Sequence, residues 1–311
     1  MTRADVGTTP AWAELPNGNA AGVFGDDDLL GRLNTLTPER VLAAARLVQT
    51  GRVINLNGSI LDWPNPSPFG LEARKPPQHH VTKYAEVIRD EYYDGFYPQG
   101  GSQWDGFLHG GDPMTNKFYN NIGDDVGIAA WAERGIVGRG VLLDVARYRE
   151  KVGAPNVWCE TNEISVDELE RCAADQGVTP DEGTILAVRT GWQTGYKALD
   201  KQGRIELAKV EKGPHCVGLE ASAEMAARIW DWGVAAVGSD NPTVEAWPPK
   251  TMDMLHFHLL GRLGIPLGEY WLVDELAEAC AAEQRYEFLF VAAPLNAPGA
   301  VGSTANALAI L

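Results

Sequence analysis

Residues 127–145 read GIAAWAERGIVGRGVLLDV. The opening GIAAWAERG has the small apolar residues and closing glycine of a short helix, and the GVLLDV after it is a continuous apolar run, the mark of a strand buried on both faces. Working outward, the same alternation recurs. Ser165 and Glu168 stand as a capping box before a helix that ends near Gly177, and TILAVRT (184–190) reads as the next strand. LEASAEMAARIWDWG (219–233) is a predicted helix feeding the apolar strand VAAVGS (234–239). Helices are predicted near 251–262 and 273–283, with YEFLFVAAP (286–294) as the last strand. Strands alternating with helices predict an α/β protein.

Upstream, Thr37 offers a helix N-cap, Pro38 suits the first helical position and Gly51 a C-terminal one, so VLAAARLVQ between them is a predicted helix and RVINLNGSI the strand after it. Residues 1–36 are rich in Gly, Pro and Asp and lack periodicity, and so read as an irregular arm. From Asp62 to Gly101 the chain is crowded with Pro, Gly and aromatics, a loop long enough to form a binding wall or lid. No internal repeat or linker-like break in composition interrupts residues 1–311, which are expected to form one domain.

The chain carries 26 Lys and Arg against 42 Asp and Glu, a formal charge of −16, and 45% of its residues are hydrophobic. Such a field repels phosphate backbones and anionic lipid, which argues against nucleic-acid and membrane partners. Cys159, Cys172, Cys216 and Cys280 form no C-x-x-C pair, so free thiols in a reducing cytoplasm are expected rather than a zinc ribbon or redox dithiol. The N-terminus lacks a signal-like apolar run and no window suits a membrane span, which also points to the cytoplasm. Neither G-x-S-x-G, H-E-x-x-H nor a P-loop occurs, and GIVGRG (135–140) has the wrong glycine spacing for a dinucleotide fingerprint.

The stretch richest in chemistry is QGGSQWDGFLH (99–109). In an extended or tightly turned backbone Gln99, Gln103 and Asp105 have the spacing to converge on one point, with the glycines permitting close approach. Such a cluster either holds a hard or borderline cation, or consists of polar groups that satisfy each other and the backbone. Trp63, Phe69, Phe96, Tyr97 and Trp104 are candidates for an apolar pocket wall. His79 and His80, after two prolines, suit a pocket rim or a solvated loop. His215 suits capping or an anionic group, and Asp240 and Asn241 lie just past a buried strand, where α/β proteins present functional groups or simply turn.

This segment resembles the signature H-x-G-T-H-x-D-x-P-x-H of a cyclase superfamily that includes bacterial kynurenine formamidase and isatin hydrolase. Gln99 and Gln103 stand at the first two histidines, Gly101 and Ser102 at the G-T pair, Asp105 at the aspartate, His109 at the last histidine and Phe107 at the proline. A branch of that family reading Q-G-S-S-Q-W-D-G-L-x-H is more similar, and the likeness extends over 127–145, 177–192, 234–245, 255–271 and the tail PGAVGSTANALAIL. The resemblance implies a single-domain swivelling β/β/α fold, with a mixed or barrel-like sheet flanked by helices. It adds His256, of HFHLL, and Glu269, of PLGEYW, as a second pair of ligands, and leaves His258 off the matching position.

The activity implied by the resemblance is that of a metal-dependent hydrolase cleaving an amide, lactone or activated carbonyl bond of a small cyclic metabolite. A metal-assisted cyclase or dehydratase, and a non-catalytic binding protein, are the alternatives. The implied ligands of one divalent ion are Gln103, Asp105, His109, His256 and Glu269; the implied catalytic groups are His109, His256 and Glu269. Gln99, Trp104, Phe96, Trp63 and His80 are the implied substrate contacts. Exchanging two imidazoles for carboxamides weakens a zinc preference and favours Mn²⁺ or Mg²⁺ beside Zn²⁺. The family also implies a homodimer or homotetramer, in which the N-terminal arm and C-terminal tail are expected to wrap a neighbour.

Overall fold

The protein is described in a computed structural model that covers residues 9–123, 127–211 and 213–311. A curled sheet of nine strands, flanked by helices, organises it. In chain order the strands are β1 (Val53–Asn55), a hairpin of β2 (Gln78–Ala85) and β3 (Ile88–Asp94), β4 (Gln103–Asp105), β5 (Ile136–Asp144), β6 (Asn162–Ile164), β7 (Ile185–Arg189), β8 (Val217–Leu219), β9 (Ala236–Ser239), β10 (Leu267–Glu269), β11 (Glu287–Ala292), β12 (Gly302–Thr304) and β13 (Ala307–Ile310). The main sheet runs β1-β13-β11-β5-β7-β9-β10-β4-β12, while β6 pairs with β8 separately. Its centre, β5-β7-β9-β10, is parallel, and both flanks are antiparallel. The α/β prediction and the mixed, barrel-like sheet therefore hold.

The parallel centre is a consequence of composition. Ile185, Leu186, Ala187 and Val188 of β7, and Ala236 and Val237 of β9, are all fully buried, as runs of apolar residues covered on both faces must be. Among the helices, α4 (Val166–Gln176) starts where Ser165 Oγ accepts the Glu168 amide at 3.2 Å and stops at Gly177, whose φ of 66° suits a glycine terminator. Ser222 caps α7 (Ala223–Asp231) in the same way, and its buried face of Met225, Ala226, Ile229 and Trp230 packs into the core.

Several sequence expectations need correction. The helix α1 (Pro38–Ala45) is capped by Thr37 but ends well before Gly51. The 62–101 loop contains the exposed hairpin β2–β3, whose strands hold each other through cross-strand pairs rather than by burial. The predicted helix near 251–262 is reduced to a π-helical segment, Phe257–Arg262. β11 is not the last strand: the tail adds β12 and β13, the latter inserted between β1 and β11 of its own chain. Where described, the arm makes contacts that its lack of periodicity did not foretell, Trp230 Nε1 donating to the Pro10 carbonyl at 2.8 Å and the Ala20 amide to the Arg262 carbonyl at 2.9 Å. Residues 1–8 of the predicted arm lie outside the described residues.

Candidate active site

The alternation of β4 builds the site. Successive side chains of a strand point to opposite faces, so Gln103 and Asp105 share one face and Trp104 takes the other. Antiparallel register sets Glu269 of β10 directly opposite Gln103, and their side chains meet: Gln103 Nε2 donates to Glu269 Oε2 at 2.5 Å. Gln99 reaches the same point from the preceding turn, its Nε2 lying 2.7 Å from Asp105 Oδ1 and 2.8 Å from His109 Nδ1. Gly302 makes room for it, since a Cβ there would come within 2.8 Å of the Gln99 side chain.

His256, at the entrance to the π-helical segment, closes the cluster from the opposite side. Its Nε2 is 3.2 Å from Glu269 Oε1 and 3.9 Å from Asp105 Oδ2, and its Nδ1 is 2.7 Å from Glu245 Oε2. Asp105 and Glu245 are fully buried and Glu269 and His256 nearly so, whereas the His109 side chain keeps 28% of its surface exposed. Solvent, and whatever arrives with it, meets this cluster at His109.

Burial opposes charge throughout, and neighbours decide the outcome. For Asp105 burial works upward, but the charge of His109, the hydrogen bond and charge of His256 and the hydrogen bond of Gln99 outweigh it and hold the carboxyl at about 2. Burial together with the charge of Asp105 pushes Glu269 up to about 7 against the pull of His256. His256 is raised well above an ordinary histidine because Glu245, Asp105 and Glu269 together overcome its burial. Burial lowers His109, with Asp105 acting against it.

Asp105, His109 and His256 each offer one ligand atom, and these three lie within 4.8 Å of one another, a geometry that can hold a metal ion. Two further observations bear on that fit. Gln103 Oε1 and Glu245 Oε1 are buried acceptors with no hydrogen-bond donor. Such atoms call for a cation or a donor from outside the chain. The carboxamide N–H groups meanwhile occupy the carboxylate lone pairs; turned about its last bond, a carboxamide presents oxygen instead of nitrogen. The mixed nitrogen and oxygen set suits a borderline or hard divalent ion.

The other sequence candidates fall elsewhere. Trp104 points away from the cluster: it is fully buried in the main core against Trp271 and Phe290, with Nε1 donating to the Ala305 carbonyl, as the alternation of β4 requires. His80 stacks on Tyr92 across the hairpin, with its ring centroid 4.6 Å away, and its Nε2 lies 3.3 Å from Asp94. His79 stacks likewise on Tyr93. Trp63 and Phe96 line a small open cleft that adjoins the cluster without including any of its side chains.

His258 is buried beside Asp253 and Arg262, and His215 packs on Thr161. Asp240 accepts the Thr190 and Gln193 amides and Asn241 ties the turn to Val217 and Val244, so both are structural. The cysteines are all free, and burial raises Cys216 and Cys280 to about 12. The residue missed by sequence reasoning is Glu245. Its only signal was its place in GSDNPTVE, the block after a buried strand. Val244 before it has φ 59° and Tyr270 after Glu269 has φ 56°, so both carboxylates are flanked by strained non-glycine backbone, a pattern that clusters at functional sites.

Comparison with known proteins bears on the fold. A sequence profile of the family described as "Putative cyclase" matches residues 35–246. A solved structure described as a novel cyclase superposes with a TM-score of 0.81 at 31% identity, covering 94% of this chain and 99% of its own. Isatin hydrolase A from Ralstonia solanacearum shares the fold at TM-score 0.59 and 21% identity, over 88% of this chain and 97% of that one. Isatin hydrolase A from Labrenzia aggregata, bound to benzyl benzoate, does so at TM-score 0.59 and 18% identity, over 87% and 97%. Among curated protein sequences, none matches.

Proposed function

The chain belongs to the cyclase family, and from that premise we propose that it is a metal-dependent hydrolase cleaving an amide, lactone or other activated carbonyl bond of a small cyclic metabolite. The observation that carries this reading is the convergence of Asp105, His109 and His256 on one point, with Glu269 alongside. Gln103, Asp105, His256 and Glu269 would hold the ion with His109 beside it, Mn²⁺ or Zn²⁺ being favoured and Mg²⁺ the third choice for so oxygen-rich a set. When bound, a divalent ion supplies a Lewis acid for the carbonyl oxygen and acidifies water.

The chain's own groups do the rest. His109 handles the proton: it is the partly exposed member, burial shifts it toward the neutral ring, and an imidazole both accepts and returns a proton. Gln99 sets that ring's orientation through Nδ1 and ties it to Asp105, its Nε2 hydrogens being directed at His109 Nδ1 and Asp105 Oδ1. His256 and Glu269 fix the far side of the reacting carbonyl. Trp63 and Phe96 supply apolar wall to the adjoining cleft. The chain acts as a homodimer or homotetramer in the cytoplasm under this reading; no described helix is long and apolar enough to cross a membrane.

A second reading, a metal-assisted cyclase or dehydratase, draws support from Glu269 at about 7 beside His256, an acid and base matched for moving a proton without consuming water. Turnover of a panel of lactones, cyclic amides and N-acyl amines in oxygen-18-labelled water separates the two. One labelled oxygen in the carboxylate product is the expected result. Conversion without label assigns the second reading, and a ligand bound but never converted makes the protein a binding module.

A further inference from the structure

The cleft beside the cluster backs onto the same turn that builds it: Gly100, Gly101 and Ser102 line the cleft, while Gln99 and Gln103 on either side reach Asp105. Arg74 stands at the seam. Its Nη1 donates to the Gln99 carbonyl at 2.9 Å, its guanidinium lies 5.5 Å over the Phe69 ring, and it forms part of the cleft wall with Trp63, Phe96 and Tyr97. Its φ is 46°, a left-handed conformation that an arginine keeps only where its surroundings over-determine it. The positive charge reaches across the turn, acting on both His109 and Glu269.

Among the described residues no carboxylate pairs with Arg74, although the chain carries 42 acidic residues against 26 basic ones. Its neighbour Lys75 is by contrast engaged with Glu72. A guanidinium offers five N–H donors in a planar fork, and the carbonyl of Gln99 accepts from one nitrogen. The remaining donors border a cleft walled by aromatic rings and prolines.

We infer that Arg74 is the anion-binding group of this cleft and that the substrate is a small aromatic carboxylate, its carboxylate on the guanidinium and its ring against Trp63 and Phe96. That this ligand is turned over rests on the hydrolase reading; the anion site does not. A planar fork matches the two oxygens of a carboxylate. The fork suits phosphate oxygens as well, but a chain of charge −16 repels a phosphate dianion more strongly than a carboxylate monoanion.

Titration calorimetry with benzoate, benzamide and phenyl phosphate tests this on the wild type, Arg74→Gln, Arg74→Lys and chelator-treated wild type, each checked for folding by circular dichroism. Benzoate should bind the wild type more tightly than the other two probes. Arg74→Gln should weaken benzoate about tenfold or more, the loss of a charge-assisted hydrogen bond, with partial recovery in Arg74→Lys. Affinity should survive chelation. Equal benzoate affinity in wild type and Arg74→Gln, preference for benzamide or phenyl phosphate, or loss of binding on chelation would each overturn the assignment. Should the protein hold no metal, the hydrolase reading fails and the Arg74 comparison still decides this one.

Discussion

Glu245 and the Asp105–Glu269 pair take hold of the two nitrogens of one imidazole. With Nδ1 of His256 held 2.7 Å from Glu245, Nε2 is left to Glu269 and Asp105. A carboxylate on the far nitrogen fixes the ring's orientation and its proton. Glutamine at 245 keeps the shape but can donate to Nδ1, moving the ring proton to Nε2, where a ligand lone pair is needed. Glu245→Gln should therefore weaken Mn²⁺ binding about 10–100-fold with the circular dichroism spectrum unchanged. Calorimetric titration checks it, and affinity within twofold of wild type would refute it. At this scale the 99–109 motif was legible because its spacing is local, whereas Glu245 was not, because only tertiary folding brings it to His256.

At the level of elements, β4 is three residues long and serves two purposes. Its outer pair face the cluster, while Trp104 fills the core between Trp271 and Phe290. Trp104→Ala should cost about 3–5 kcal/mol of stability by urea unfolding, as expected for a buried tryptophan and not for a pocket-wall one. The parallel strands could be read from sequence because residues such as Leu186 and Val237 are apolar on both faces. The β2–β3 hairpin could not, since exposed strands show no burial pattern and its turn lacks an Asn-Gly or Asp-Gly signal.

The aromatic cluster behind the cleft gives a second test at this scale. Tyr196, stacked on Trp192 and donating to the Pro66 carbonyl, is raised to about 12 by burial. An unfolded tyrosine ionises near pH 10, before the folded one does. The stability associated with its neutral form is thus complete below pH 10 and lost as pH rises toward 12. Tyr196→Phe should flatten the stability profile in that window, as read by denaturant midpoints. An unchanged slope would show that the hydroxyl titrates as in the unfolded chain.

Across the whole molecule, the cluster joins segments far apart in sequence: Gln103 and Glu269, whose side chains touch, are 166 positions apart. An ion held there would tie β4, β10 and the entrance of the π-helical segment together in the folded state alone. Free metal at 100 times its dissociation constant should then add about 2.7 kcal/mol of stability, and chelation should remove it, visible as a drop of several degrees in Tm. An unchanged Tm would mean that folding is not linked to metal at this site.

The most direct test is elemental analysis of protein purified without an affinity tag, carried out in parallel on wild type, Asp105→Asn and His256→Ala. One equivalent of a divalent metal per chain in the wild type, and a several-fold loss in both variants, is the predicted result. A wild type without metal after incubation with Mn²⁺ and Zn²⁺, or variants that retain a full equivalent, would contradict it.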